Sequence, residues 1–348
     1  MIKVLLVDDS PLALTILKRM LSISSEIEVV GTALNGKEAL KLILRLDPQV
    51  ICADIHMPVM DGIELTREVM AKYPRPILVI SVSVNHAGSG NIFKMLEAGV
   101  IDIFPKPEGE EEISKTAPEL VRKIMILSGV HVFGRSRRSV PAIPLPKLEF
   151  KTIPELVVVG ASTGGPQALQ EIFSRLPADF PLPIVCIQHI SRGFLGQLVD
   201  WLSEICKLKV QIARKGEIPK AGNIYFPPED THLIFDPEGR FAFSGEPPNC
   251  GHRPSVSVTM NSAARVFADS TIGVLLSGMG NDGADGMREI MQSGGITIAQ
   301  DEESSVVFGM PKQAIDLGVV NYIIPLSEIA DALLQFPKGG KIDPERGK

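Results

Sequence analysis

A serine stands in a glycine-rich turn directly after an apolar run. Residues 156–159 read Leu-Val-Val-Val, and residues 160–166 read Gly-Ala-Ser-Thr-Gly-Gly-Pro. β-Branched residues favour a strand buried on both faces, while glycine permits a tight turn and proline suits the first turn of a helix. The pattern predicts a strand–turn–helix that presents Ser162 as a nucleophile beside helix N–H groups. A loop of small residues that cradles a phosphate is the alternative interpretation.

Two further predicted strands end at residues that would complete a serine hydrolase. His189 follows the predicted strand 183–188, and Asp282 lies in the glycine-rich turn after the predicted strand 272–276. Acyl transfer needs a hydroxyl, a base near neutral pKa and a carboxylate that orients the base. We therefore predict a triad of Ser162, His189 and Asp282. The competing candidates, less well placed relative to the strands, are His232 and His252 for the base and Asp230 and Asp285 for the acid.

A second group of polar residues follows predicted strands nearer the N-terminus. Asp8 and Asp9 follow the first strand, Asp54 the third, Ser81 the fourth and Lys106 the fifth. Three carboxylates at one sheet edge repel one another unless a cation lies among them, and Mg²⁺ is the best candidate. A lysine and a hydroxyl beside them suit a phosphoryl group. The alternative is that the acidic residues only cap helices. Capping would explain one acid after a strand, but it does not explain all five polar residues.

Alternating strand and helix patterns place these residues in two α/β domains. Residues 1–127 contain five βα repeats, which predict a doubly wound parallel sheet with its site at the carboxyl ends of the strands. The last of its helices is predicted over residues 119–127. Residues 128–152 have neither helix nor strand periodicity and predict an inter-domain linker. Residues 153–348 predict a second doubly wound sheet, with a hairpin formed by residues 232–235 and 240–244.

Composition limits the class of protein. The 348 residues carry 35 Lys and Arg against 41 Asp and Glu, and the net charge of −6 argues against a nucleic-acid partner. No apolar run reaches the ~18 residues of a spanning helix, so we expect no membrane insertion. The start of the chain fits a strand and not a signal peptide. The four cysteines form no CxxC pair, which favours reduced thiols and a cytoplasmic location.

The turn that contains Asp282 also carries a rival motif. Gly278-x-Gly280-x-x-Gly283 follows a predicted strand, precedes a helix and is followed 18 residues later by Asp301. This arrangement meets the formal dinucleotide fingerprint. Against it, the charge of Asp282 would repel a pyrophosphate. The motif also lies late in its domain and not in the first βα turn.

The first domain resembles the receiver domain of two-component response regulators over residues 1–127. The resemblance rests on DDS at 8–10, DIHMPVMDG at 54–62, a hydroxyl residue at 81 and KP at 106–107. It implies a flavodoxin-like (βα)5 fold, phosphorylation of Asp54 by a chemotaxis histidine kinase, and Mg²⁺ held by Asp8, Asp9 and Asp54. Ser81, where many relatives carry threonine, and Lys106 would respond to the phosphoryl group.

The second domain resembles the chemotaxis protein-glutamate methylesterases, so that the two resemblances cover essentially the whole chain. VVVGASTGGPQAL, IVCIQHI, GHRPSV, LLSGMGNDGADGM and TIAQDEESSVVFGMP occur in this order. The resemblance implies a Rossmann-like domain that hydrolyses γ-glutamyl methyl esters on chemoreceptors to methanol and glutamate, and often deamidates receptor glutamines. Backbone N–H groups near Thr163 and Met279 would form its oxyanion hole. Ser257 stands where relatives often carry an acid.

Together these features predict a regulated enzyme. Ser162 is expected to attack the ester while His189 carries the proton and Asp282 orients the imidazole, with no cofactor for this reaction. The unphosphorylated receiver is expected to block the site and phosphorylation of Asp54 to open it. The expected partners of the monomeric chain are methyl-accepting chemotaxis receptors and a histidine kinase. A receiver-regulated protein that binds NAD(P) or signals without turnover is the alternative.

Overall fold

The computed structural model of the chain describes residues 1–81, 90–107, 109–130 and 152–335. These residues form two compact units, and each unit has its own parallel sheet. The predicted linker, residues 128–152, lies mostly outside the described residues. Within the described ranges, no helix combines the length and the apolar character that crossing a membrane would need.

The N-terminal unit is a five-stranded parallel sheet in the order β2-β1-β3-β4-β5. Its elements are β1 (Ile2–Val7), α1 (Pro11–Leu21), β2 (Ile27–Ala33), α2 (Gly36–Leu46), β3 (Val50–Ala53), α3 (Gly62–Lys72), β4 (Ile77–Ser81), α4 (Gly90–Ala98), β5 (Asp102–Pro105) and α5 (Glu110–Ser128). Every residue of β3 and β4 is buried, as expected for a parallel sheet covered on both faces. The predicted doubly wound domain is confirmed.

Helix α5 begins earlier than predicted. The expected helix covered residues 119–127, whereas the structure has a helix from Glu110 to Ser128 with Pro118 inside it. Three acidic residues, 110–112, lie in the first turn, where they interact favourably with the helix dipole. Pro118 cannot donate a helical hydrogen bond, yet the helix continues through it.

The C-terminal unit has a seven-stranded parallel sheet in the order β14-β13-β12-β6-β7-β9-β8 and an antiparallel hairpin of β10 and β11. Its elements are β6 (Leu156–Ala161), α6 (Gly165–Phe173), β7 (Ile184–Gln188), α7 (Leu195–Ile205), β8 (Lys209–Ile212), β9 (Asn223–Phe226), β10 (His232–Phe235), β11 (Phe241–Ser244), α8 (Val256–Phe267), β12 (Thr271–Leu275), α9 (Ala284–Gln292), β13 (Ile296–Gln300), α10 (Met310–Asp316), β14 (Tyr322–Ile324) and α11 (Leu326–Leu333). The second parallel sheet and the hairpin are confirmed, whereas α10 and β14 were not predicted.

Three neighbouring strands of this sheet, β12, β6 and β7, end at the same level. In their parallel register Leu275 pairs with Gly160, and Ala161 pairs with Gln188. All six residues of β6 are buried, so the central strand is fixed from both faces. The residues that follow these three strands therefore lie at one edge of the sheet, which is where α/β proteins place their sites.

Candidate active site

The predicted nucleophile and base lie side by side at this edge. Ser162 directly follows β6 and His189 directly follows β7. The N–H of His189 donates to the carbonyl of Ala161 at 2.9 Å, which extends the sheet ladder by one bond. On the other side, the N–H of Ser162 donates to the carbonyl of Ser277 at 3.0 Å. Ser162 is thus held between the ends of β7 and β12.

The imidazole of His189 is hydrogen-bonded to the predicted acid through one nitrogen. Nε2 lies 2.9 Å from Oδ2 of Asp282. Nδ1 is buried and has no hydrogen-bond partner within the described part of the chain. Because an ionised carboxylate only accepts hydrogen bonds, Nε2 carries a proton, and in the neutral imidazole Nδ1 then carries the lone pair. Nδ1 is therefore the nitrogen that can act as a base.

Asp282 is almost fully buried, and its carboxylate is surrounded by donors. Besides His189, Oδ2 accepts from the N–H of Val256 at 2.8 Å; Oδ1 accepts from the N–H of Ser257 at 2.9 Å and the hydroxyl of Ser255 at 2.8 Å. Val256 and Ser257 begin helix α8, so a helix N-terminus faces the negative charge. Burial acts to raise the pKa of Asp282, but His189 and these hydrogen bonds hold it well below its usual value.

Ser255 and Ser257 were not identified as site residues from the sequence. The hydroxyl of Ser257 also accepts from the N–H of Gly283 at 2.7 Å and so supports the turn that contains Asp282. The available signal was the GHRPSV stretch, which carried the resemblance without indicating what it contacts. At position 257 this chain places a neutral hydroxyl against the turn of its buried carboxylate.

The competing histidines lie near the triad in supporting positions. His252 stacks on His189, with ring centroids 3.7 Å apart and 7° between the ring planes. His232 is buried in β10, where its Nδ1 accepts from the N–H of Ser255 at 3.2 Å. Of the competing acids, Asp285 lies in α9 and pairs with Arg288 at 2.6 Å, and Asp230 is exposed before β10. The choice of His189 and Asp282 agrees with this geometry.

Ser277 links the nucleophile turn to two other loops. In addition to its carbonyl contact with Ser162, its hydroxyl donates to the carbonyl of Thr163 at 2.8 Å and accepts from the N–H of Val307 at 2.9 Å. Its N–H donates to Oε1 of Gln300 at 2.8 Å. Ser277 is buried, so all of these bonds are shielded from water. Ser277 was not predicted from the sequence as a site residue.

The loop with the second predicted oxyanion donor, Met279, packs closely on Ser162. The carbonyl of Gly278 accepts from the N–H groups of Gly309 at 3.0 Å and Met310 at 2.8 Å. A Cβ atom at Gly278 would lie 2.7 Å from the Cβ of Ser162, so this position requires glycine. The two loops with predicted donors, at Thr163 and Met279, are thus both tied to the nucleophile.

The first and last glycines of the turn at 278–283 do not offer their amides to a dinucleotide. The N–H of Gly278 donates to the carbonyl of Val307 at 3.0 Å, and the N–H of Gly283 donates to Ser257 and to Asp282. A pyrophosphate binds such a turn through N–H groups that have no protein partner. The fingerprint at these glycines therefore serves to hold Asp282 and gives no support to the NAD(P) interpretation.

In the N-terminal unit, the predicted acidic cluster is present. Asp8, Asp9 and Asp54 each have a carboxylate oxygen within 4.8 Å of the others. Nζ of Lys106 lies 2.7 Å from Oδ2 of Asp8 and 2.8 Å from Oδ2 of Asp54. Ser81 is buried at the end of β4, and its carbonyl accepts from the N–H of Lys106 at 2.8 Å. The five predicted residues therefore meet at one end of the sheet.

The charges in this cluster suit a divalent cation. Burial raises the pKa of Asp54, an effect that Lys106 opposes and Asp8 reinforces. Burial acts to lower the pKa of Lys106, but its contacts with Asp54 and Asp8 raise it overall, so the side chain stays cationic. One ammonium group beside three acids leaves negative charge, and carboxylate oxygens are the donors that Mg²⁺ prefers. The helix cap at α1 is provided by Ser10 and not by Asp9.

Known proteins resemble this chain over both units. The family described as "CheB methylesterase" matches residues 157–333, and the family described as "Response regulator receiver domain" matches residues 4–117. Protein-glutamate methylesterase/protein-glutamine glutaminase 2 of Methanospirillum hungatei JF-1 is 42% identical over 339 residues, which cover 95% of this chain and 97% of that protein. The chain belongs to the CheB methylesterase family. A second relative, protein-glutamate methylesterase/protein-glutamine glutaminase 1 of Carboxydothermus hydrogenoformans, is 43% identical over 338 residues, or 95% of this chain and 98% of that protein.

A solved structure supports the fold of this family member. The crystal structure of the Thermotoga maritima CheB methylesterase catalytic domain is 38% identical and covers 53% of this chain and 99% of that chain, with a TM-score of 0.51. The two family matches occur in the order receiver then methylesterase. Both the resemblance and the fold class predicted from the sequence are therefore confirmed.

Proposed function

We propose that this chain hydrolyses γ-glutamyl methyl esters on chemoreceptors, with release of methanol, and deamidates receptor glutamines at the same site. The observation that carries the proposal is the hydrogen-bonded pair of His189 and Asp282 at the strand end next to Ser162. The names of the relatives supply the substrate class. An ester and a primary amide both present an acyl carbon to a serine, so one site can serve both reactions.

The mechanism follows from which ring nitrogen of His189 is bonded to Asp282. Ser162 Oγ attacks the acyl carbon while its proton passes to Nδ1 of His189, and Asp282 stabilises the resulting imidazolium through Nε2–H. The imidazolium then protonates the departing methoxide. Water, activated by the same nitrogen, hydrolyses the acyl-enzyme. The N–H groups of Thr163 and Met279 would stabilise the oxyanion, and these steps call for no cofactor.

The receiver is proposed to control this chemistry. Asp54 would accept a phosphoryl group from a chemotaxis histidine kinase, and Asp8, Asp9 and Asp54 would hold Mg²⁺, which neutralises charge on that group when bound. Lys106 and Ser81 would contact the phosphoryl group and shift the unit between two states. The phosphorylated state is proposed to expose the esterase site. We also propose that the chain acts as a monomer in the cytoplasm.

Two substrates test the proposed chemistry. Methylated and amidated cytoplasmic receptor fragments are incubated with the full chain, and methanol and ammonia are measured separately. The proposal requires methanol from the methylated fragment and ammonia from the amidated fragment. A folded chain that releases neither product overturns the function.

A phosphodonor tests the control. Acetyl phosphate with Mg²⁺ is expected to raise methanol release by wild type and to leave Asp54→Asn at the basal rate, because that variant lacks the acceptor carboxylate. Asp61→Asn, in the loop before α3, is the matched control, since Asp61 caps that helix and lies outside the predicted cluster. Equal stimulation of wild type and Asp54→Asn would contradict the proposed control.

A further inference from the structure

We propose that Gln188 is a positioning residue that sets the oxyanion hole and joins it to the base. It is the last residue of β7, and its side chain is 3% exposed. Its Nε2 donates to the carbonyl of Ser162 and to the carbonyl of His189, each at 2.8 Å. One buried amide group thus bonds to the main chain of both the nucleophile and the base. The inference rests on the acyl transfer proposed above.

The planar peptide explains how Gln188 acts. In a trans peptide the carbonyl of one residue and the N–H of the next point in opposite directions. The carbonyl of Ser162 is turned into the protein by two donors, Nε2 of Gln188 and the N–H of Gly165, both at 2.8 Å. The N–H of Thr163 must therefore point to the opposite side. One of the two bonds that set the direction of the Thr163 N–H thus comes from the side chain of Gln188.

The N–H of Met279, the second predicted oxyanion donor, is directed in the same way. Here the carbonyl of the preceding residue is held by main-chain N–H groups. The carbonyl of Gly278 is fixed by the N–H groups of Gly309 and Met310, which directs the N–H of Met279 the other way. Mutation cannot remove these main-chain donors selectively. At Thr163, by contrast, one of the two bonds that fix the peptide comes from a side chain and can be deleted.

Gly165 makes the room that the Gln188 side chain occupies. A Cβ atom at position 165 would lie 2.0 Å from Oε1 and 2.8 Å from Cδ of Gln188. Oε1 is buried and belongs to the same rigid amide as Nε2, so it cannot leave its place without disturbing the Nε2 bonds. Gly165 and Gln188 therefore form a matched pair, and a methyl group at 165 should displace the amide.

Two variants of Gln188 are compared. Gln188→Met keeps the length of the side chain and removes the donor. Gln188→Glu keeps the shape of the side chain and places an acceptor against two carbonyls. Gln211→Glu is the control, since Gln211 lies in β8 at the edge of the same sheet. Each full-length variant is assayed for kcat and KM on the methylated receptor fragment. Binding is measured for a receptor peptide that carries a trifluoromethyl ketone in place of the methyl ester, because this group forms an oxyanion on the serine.

Loss of a well-oriented oxyanion donor lowers kcat by about 10²–10³-fold. We expect both Gln188 variants to lose about 10²-fold in kcat with KM changed less than about threefold, and to lose ketone affinity in parallel with kcat/KM. In Gln188→Met the pH dependence of kcat/KM should keep its wild-type midpoint, since Gln188 bonds the carbonyl of His189 and not its ring. The control should match wild type.

Two results would overturn the inference. One is a folded Gln188 variant with kcat within about threefold of wild type; the other is a loss of kcat with unchanged ketone affinity, which would mean that the oxyanion hole is intact. Gly165→Ala gives an independent check, because displacement of the amide should reproduce the Gln188→Met kinetics. Wild type that releases no methanol would instead refute the proposed function itself.

Discussion

His189 and Asp282 are joined through Nε2 of the imidazole, at 2.9 Å, which leaves Nδ1 buried and without a hydrogen-bond partner among the described residues. In the serine-protease arrangement the carboxylate bonds Nδ1 and Nε2 is the base. In the proposed mechanism the two nitrogens exchange these roles. The proposed proton relay is equivalent, but its base is the nitrogen nearer the main chain, which suits a histidine that directly follows a strand.

Asp282→Asn should lower kcat by about 10³–10⁴-fold, as expected when the imidazole is held in the wrong tautomer. The asparagine amide would donate to Nε2, which moves the ring proton to Nδ1 and removes the base. Kinetics on the methylated receptor fragment measure the loss, and ¹⁵N NMR of His189 reports the tautomer. Activity above about one tenth of wild type would contradict the assigned role.

The low pKa of Asp282 predicts a pH-dependent contribution to stability. A carboxyl group whose pKa is lower in the folded chain than its usual 3.8 stabilises the fold above that value, and the contribution is lost as pH falls below it. The difference in unfolding free energy between wild type and Asp282→Asn should therefore be constant near neutral pH and shrink below about pH 4. Urea unfolding followed by the fluorescence of Trp201, the single tryptophan, measures it in the C-terminal unit. A difference that does not vary with pH would contradict the prediction.

The ring of His252 should support the catalytic imidazole through stacking. Aromatic pairs contribute about 0.5–1.5 kcal/mol, so loss of the ring in His252→Ala should reduce kcat by about three- to tenfold as His189 gains rotational freedom. His252→Phe keeps a flat ring at this position and is expected to retain most of the activity. Equal losses in both variants would show that the imidazole nitrogens of His252 matter more than its ring.

Gly278→Ala should damage both folding and catalysis. Its Cβ would lie 2.7 Å from the Cβ of Ser162 and 2.4 Å from the sulfur of Met310, and overpacking of this kind costs about 1–3 kcal/mol. Thermal unfolding and methanol release measure the two effects. Gly245→Ala is the matched control, since a Cβ there meets no atom within 4 Å. A Gly278→Ala chain as stable and active as the control would show that the loop yields easily.

The residues at strand ends could be predicted because local sequence alone places them. The apolar run before Ser162, the strand before His189 and the turn around Asp282 each signal a carboxyl end of a parallel strand, and such ends meet at one edge. The same reasoning located Asp8, Asp54 and the other members of the receiver cluster. Short elements gave weaker signals: β14 has only three residues, and α10 was missed although proline lies in its first turn.

The residues that hold the site could not be predicted, because their contacts join distant parts of the chain. Ser255 meets Asp282 across 27 positions, and Ser277 meets Thr163 across 114. Gln188 read as an ordinary end of a strand, and only the geometry of the peptide after Ser162 gives it a role. The choice between Nε2 and Nδ1 of His189 likewise depends on where helix α8 places the carboxylate.

Methanol release by wild type and Ser162→Ala tests whether Ser162 is the nucleophile. Both full-length chains are incubated with the methylated receptor fragment at equal concentration, with Ser244→Ala, in the hairpin strand β11, as the control serine. We expect Ser162→Ala to lose at least about 10³-fold in rate while it stays folded, and the control to keep its rate. A folded Ser162→Ala chain that releases methanol at a rate near that of wild type would show that Ser162 is not the nucleophile.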